Sequence, residues 1–248
     1  MPVQFSSCTF RYRRNRRVLR RFTCQLPPGR TVFLGPNGAG KSTVLGLAAS
    51  ALSPHTGKIS YQGLSTTDRG SLPAYRRRVA WMPQQLAAVP GLTAREQVAY
   101  VGWLKGMSRA QAWEQSLRAL QRVELGDRAG EKINRLSGGQ QRRVGVAQSL
   151  VHGAEVLLLD EPTAGMDPRQ RTVFHEILGN LPRSVHVLLS THDTVDLESV
   201  YDNVVVLLDG RLTFQGTVDE FLSHAAPGAS AGRQADSAYH ALTEWSRA

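Results

Sequence analysis

Lysine is nearly missing from this chain: Lys41, Lys58, Lys105 and Lys132 are its four lysines, yet the 248 residues carry a net charge of +10. Arginine therefore supplies almost all of the positive charge, a balance that favours polyanionic partners (nucleic acid, nucleotide, an anionic membrane face) and says nothing of the fold. Cysteine is as scarce. Cys8 and Cys24 are the only two, too few for a disulfide framework, so buried free thiols in a reducing compartment are expected. No apolar run approaches the roughly 18–20 residues that span a bilayer, and the opening MPVQFSSCTFRYRR lacks the apolar core of a signal peptide. The chain is thus expected neither to cross a membrane nor to carry a leader. Apolar and charged shares of 41% and 20% are ordinary for a folded protein and exclude disorder over most of the length. The length allows one domain, or one domain with a sizeable insertion.

What is present is ordered in blocks. Short β-rich segments at 3–12, 18–25 and 31–34 come first, with Pro27, Pro28 and Gly29 as a turn. The arginine-rich run from Phe10 to Arg21 reads as a solvated hairpin, with a specific polyanion site as the alternative. KISYQG predicts another short strand, and RRRVAWMPQQ a strand that breaks at Pro83. From Thr93 the texture changes to apolar residues three and four apart. TAREQVAYVGWLKGM and SRAQAWEQSLRALQRV each follow a capping Thr or Ser, and Glu96 completes a capping box with Thr93. Apolar strands EVLLLD, SVHVLLS and NVVVLLD then alternate with helical stretches at 168–180 and 194–200, which predicts a mostly parallel sheet buried on both faces. From Ala225 onward, small residues with Pro and Gly predict a flexible connector ending in one short helix.

Two stretches carry chemistry. Residues 35–43 read GPNGAGKST, which satisfies G-x-x-x-x-G-K-[ST] between an apolar strand and a helix. In this loop of Gly35, Pro36, Asn37, Gly38, Ala39 and Gly40, the glycines Gly38 and Gly40 would let backbone N–H groups curl around a β-phosphate, backed by the positive end of the helix dipole. Lys41 would reach the β- and γ-phosphates, Ser42 offer its hydroxyl to Mg²⁺, and Thr43 lie near the α-phosphate. EVLLLDEP ends a strand in two carboxylates: Asp160 for Mg²⁺ and Glu161 as general base.

A third stretch, LSGGQQRRVGVAQSL at 136–150, places Ser137, Gly138, Gly139 and Gln140 where a second helix N-terminus could meet an anion. With LSGGQ standing between the phosphate loop and LLLDEP, the sequence resembles the ATP-binding cassette family over about residues 3–222. The resemblance places Gln84 of MPQQ as the glutamine loop, with Gln85 as a one-residue alternative. It likewise places Asp167 of AGMDP as the D-loop, His192 of STHD as the switch histidine, and Tyr12 upstream as the aromatic that stacks on adenine, with Phe10 as its competitor. Met166 stands where the family usually has leucine, a swap of small cost in an apolar contact.

The resemblance implies an α/β fold: a P-loop NTPase core with a mostly parallel sheet (residues 1–85 and 155–224), an N-terminal antiparallel β subdomain and an inserted helical subdomain (86–154), with 225–248 as a tail outside the 1–224 ATPase domain. It implies ATP and Mg²⁺ as cofactors, with Ser42, Gln84 and Asp160 on the metal and Glu161, His192, Lys41 and Gln84 in catalysis. It implies two kinds of partner: separate transmembrane permease subunits and a second ATPase subunit, a homodimer being the simple case. The chain would then sit peripherally on the cytoplasmic face of the membrane. The stretch VPGLTAREQVAYVGWLKGM resembles cassettes that drive drug, antibiotic or polysaccharide exporters. No specific nucleic acid is expected; a soluble cassette ATPase acting on nucleic acid, ribosomes or an assembly machine is the alternative.

Overall fold

The computed structural model of the chain describes residues 3–13, 16–197 and 200–245. A four-stranded antiparallel sheet has the order β2-β1-β4-β5: β1 is Gln4–Arg13, β2 Arg16–Gln25, β4 Thr56–Tyr61 and β5 Leu64–Ser65. A six-stranded sheet has the order β10-β9-β3-β8-β7-β6, from β3 (Arg30–Leu34), β6 (Val79–Met82), β7 (Val156–Asp160), β8 (His186–Thr191), β9 (Asn203–Leu208) and β10 (Arg211–Thr217). Its pairings are parallel except at β10, which returns antiparallel on β9.

The apolar runs are continuous because both faces of the larger sheet are buried. On β3 and β7 the residues alternate between two cores. Phe33, Val156 and Leu158 pack toward helix α1 (Lys41–Ala48) and the antiparallel sheet, together with Phe5, Leu45 and Ile59. Val32, Leu34, Leu157 and Leu159 face the other way, toward the helices. Those helices are α3 (Ala94–Leu104), α4 (Arg109–Arg122), α5 (Gly138–Leu150) and α6 (Pro168–Gly179). Thr93, Ser108 and Ser137 each close a capping box with Glu96, Gln111 and Gln140, each cap contributing about 1 kcal/mol.

Three expectations differ in detail. The arginines of RRRVAWM belong to helix α2 (Leu72–Arg78), and the strand begins only at Val79. Tyr75 points inward from that helix and donates to Ala48 O at 2.5 Å, a contact that the local pattern does not encode. The 194–200 stretch forms a single 3-10 turn, Thr194–Asp196, with Glu198 and Ser199 outside the described residues. The segment from Ala225, expected as a flexible connector ending in one short helix, carries that helix as the 12-residue α8 (Gln234–Trp245), after the short α7 (Val218–Leu222), and packs it on the core. Ala238 is fully buried against the core, with Tyr239 and Leu242 beside it, so small residues here make a close packing surface. In the arginine-rich hairpin Phe10, Leu19 and Phe22 are buried while Arg11, Arg20 and Arg21 are exposed. Its Arg14 and Asn15 lie outside the described residues.

Candidate active site

The carboxyl ends of three adjacent parallel strands bring the chemistry together. β8 lies between β3 and β7, with Leu34 beside Thr191 and Asp160 beside Ser190. The glycine loop leaves the end of β3 after Leu34, Glu161 comes directly after Asp160, and His192 directly after Thr191. All three therefore meet at one edge, the usual place for ligands in such sheets.

The loop turns because Gly38 and Gly40 take φ values of 85° and 106°, which L side chains rarely adopt. Lys41, at the first position of α1, is only 4% exposed and donates to Gly35 O at 2.6 Å and Pro36 O at 3.3 Å. Burial pushes its pKa down, opposed by the negative charges of Glu161 and Asp160. Ser42 Oγ donates to Asp160 Oδ1 at 3.0 Å, and Ser190 Oγ to the same oxygen at 2.7 Å. Asp160 is 3% exposed; burial raises its pKa, and the two hydroxyls oppose that shift.

Glu161 sits at φ 45°, a costly backbone region for a residue with a side chain. Its N–H donates to Ser190 O and Ser190 Oγ, both at 3.1 Å. That turn aims its carboxylate back over the loop. Oε1 lies 3.7 Å from Lys41 Nζ and 3.5 Å from His192 Nδ1, and Oε2 accepts from Gln84 Nε2 at 3.2 Å. A cavity of about 540 Å³ opens here, lined by Tyr12, residues 36–43, Gln84 and Glu161, with Val18, Asp209 and Gly210. Tyr12 is 57% exposed and Phe10 only 6%, edge-on beneath it with ring centroids 5.0 Å apart. Of the two aromatics, Tyr12 is the one open to a ligand; its hydroxyl lies 3.1 Å from Thr43 Oγ1.

The LSGGQ residues are elsewhere. Ser137 caps α5, accepting from Gln140 N at 3.3 Å while Gln140 Oε1 accepts from Ser137 N at 2.9 Å. The N–H groups of Gly138 and Gly139 fall in the first turn, where a helix offers no internal acceptor. Ser137, Gly139 and Gln140 line a separate cavity of about 300 Å³ with Arg143, Arg169 and Gln170. Asp167 caps α6 by accepting from Gln170 N at 2.8 Å. Neither Asp167 nor any LSGGQ residue lines the cavity over the glycine loop.

A family profile described as "ABC transporter" matches residues 19–164, from the second strand through the turn after Glu161. The chain belongs to the ABC transporter family. The profile is narrower than the 3–222 expected, but the likeness in structure is broader. A solved dimer of the ATP-binding cassette MJ0796, in a post-hydrolysis state bound to ADP and Pi, is similar with TM-score 0.76 and 26% identity, over 87% of this chain and 98% of that one. Among curated relatives, the daunorubicin/doxorubicin resistance ATP-binding protein DrrA of Streptomyces peucetius is 35% identical over 77% of this chain and 58% of its own length. The molybdate/tungstate import ATP-binding protein WtpC of Archaeoglobus fulgidus is 34% identical over 77% of this chain and 79% of its own. The chain spans 61% of the length of other curated relatives that it matches.

Within this ABC transporter fold, sequence reading passed over several residues. Asp209 and Gly210 line the cavity because β9 neighbours β3, and Gly210 N donates to Ala39 O at 2.9 Å. A Cβ at Gly210 would meet Val18 O at 1.9 Å, so only glycine fits. Their Asp-Gly spelling marks a hairpin turn, not a place beside a phosphate loop. Also missed was the buried carboxylate of Asp196, just beyond His192.

Proposed function

We propose that this chain is the ATP-hydrolysing subunit of a membrane ABC transporter, working as a dimer on separate transmembrane subunits at the cytoplasmic membrane face. One observation carries the reading. A single chain gathers the glycine loop, Glu161 and Gln84 around one cavity, with His192 against Glu161, but presents Ser137, Gly139 and Gln140 at another. A site that uses both needs two chains, each lending its LSGGQ turn to the nucleotide held by the other. The dimeric state of the MJ0796 cassette supports that pairing.

In the proposed reaction the loop N–H groups and Lys41 bind the phosphates, and Tyr12 stacks on the adenine. Ser42, Gln84 and Asp160 would hold Mg²⁺, offering the hydroxyl, amide and carboxylate oxygens that a hard cation prefers. When bound, the ion neutralises charge that develops on the phosphates. Glu161 accepts the proton of the attacking water, with Gln84 on one of its oxygens and His192 and Lys41 on the other. The second chain's Ser137 and Gly139 close the remaining face.

Export is the direction we favour, supported by the likeness to the DrrA and linearmycin resistance ATP-binding proteins; importers match at similar identity. The test is Glu161→Gln. It should retain ATP binding, lose turnover and accumulate as an ATP-dependent dimer on size-exclusion chromatography. Wild-type turnover in that variant would overturn the assignment of the base.

A further inference from the structure

A buried carboxylate that the proposed reaction does not use ties three parts of the site together. Asp196 is 1% exposed. Its Oδ2 accepts from Thr163 Oγ1 at 2.9 Å and Thr191 Oγ1 at 2.5 Å. Its Oδ1 lies 3.3 Å from His175 Nε2 and 3.7 Å from Arg171 Nε. These four partners come from three working segments. Thr163 stands two residues after Glu161, and Thr191 immediately precedes His192. Arg171 and His175 ride on α6, the helix capped by Asp167.

The links continue outward. Arg171 Nη1 donates to Asp193 Oδ2 at 3.1 Å, and Asp193 N donates to Thr191 Oγ1 at 3.1 Å, so both neighbours of His192 are held. His175 Nδ1 lies 3.0 Å from Tyr201 OH. With Asp196 as acceptor, His175 carries a proton on Nε2.

We propose that Asp196 is a positioning residue that sets Glu161, His192 and Asp167 in one mutual geometry. The proposal rests on the hydrolytic reading above. The directional character of the contacts argues for it: a packed apolar side chain would fill the same space, but only an acceptor with two oxygens fixes three hydroxyl and ring donors from separate segments at once. Burial alone would raise the Asp196 pKa; the hydrogen bonds from His175, Thr191 and Thr163 and the Arg171 charge outweigh it, so the group is held ionised. Glu161 already sits in a strained conformation, which persists only where its surroundings over-determine it. Thr163 and Ser190 are the anchors on either side.

The test compares Asp196→Ala, Asp196→Asn and Thr163→Val with wild type in steady-state ATP hydrolysis. Misplacing a reacting group by about 1 Å can cost on the order of 100-fold. Asp196→Ala should lower kcat by about 10- to 100-fold with KM for ATP within about threefold. Asp196→Asn keeps one acceptor oxygen and should fall between. Thr163→Val, close in shape and safe if the alanine variant fails to fold, should lower kcat several-fold at unchanged KM. Unchanged kcat in both Asp196→Asn and Thr163→Val overturns the proposal, as does a rise in KM alone. Hydrogen exchange supplies a readout free of catalysis. In Asp196→Asn, amides at 163–171 and 191–196 should lose protection together; independent behaviour of the two segments overturns the proposal. Absence of ATP hydrolysis in the wild type would instead overturn the hydrolytic reading, while the exchange result would still decide the role of Asp196.

Discussion

The ammonium of Lys41 lies 3.7 Å from the carboxylate of Glu161, across the mouth of the glycine loop, and both side chains are largely buried. The start of α1, which follows β3, and the residue after β7 thus face each other across strands that share β8 as a neighbour, and in the proposed reaction they supply the cation for phosphate and the base for water. The Glu161 charge opposes the effect of burying Lys41.

Lys41→Met keeps the packed stem and removes the charge. Charge-assisted hydrogen bonds contribute about 1.5–3 kcal/mol, so ATP affinity should fall by roughly 10- to 100-fold. Titration calorimetry with ATP checks this; an unchanged affinity would mean that Lys41 does not reach the phosphates.

Tyr12→Ala should weaken nucleotide binding by about 5- to 100-fold, the range for losing one base–aromatic stack. Tyr12→Trp should preserve it. Phe10→Leu, by contrast, should change unfolding and not affinity, because Phe10 is buried in the β core. A fluorescent ATP analogue separates the two effects.

His152 makes stability fall on acidification. Burial, helped by nearby Lys105, pushes its pKa down from 6.5 to about 4. The unfolded chain therefore binds a proton that the folded chain refuses, and stability is lost as pH falls from about 6.5 toward 4. By the size of that shift the loss is of order 3 kcal/mol. His152→Asn should flatten this part of a plot of Tm against pH.

The C-terminal helix is held by burial of Ala238 and by a hydrogen bond from Thr194 to Asp236. Ala238→Asp would bury an unpaired charge and should cost about 3 kcal/mol or more of stability. Urea unfolding checks it; no shift in midpoint would return α8 to the flexible tail that its composition suggests.

How far the sequence could be read depends on the range of each interaction. The glycine loop, the capping boxes at Thr93 and Ser137, and the strand before Asp160 are written in neighbouring residues, and the fold places them where local chemistry puts them. Asp209 and Gly210 reach the site through sheet order, which no local pattern encodes. Asp196 was hidden for a similar reason: its partners Thr163, His175 and Thr191 come from three elements. A short helix at the end of the tail was legible, but its packing was not, because the buried face at Ala238 depends on the core that it meets.

The central claim is that each nucleotide site is built from two chains, and Gly138 offers a clean way to test it. A side chain at Gly138 would meet nothing within 4 Å, and an acid in the first turn of α5, which has none, suits the helix dipole. Gly138→Asp should therefore fold and bind ATP, yet repel the phosphates of the opposite chain. Alone, Lys41→Met and Gly138→Asp should each be inactive. Mixed and allowed to exchange subunits, they form dimers with one site intact, the Lys41 of one chain facing the Gly138 of the other. The account predicts that ATPase activity reappears on mixing; an active Gly138→Asp protein, or a mixture as silent as its components, would contradict it.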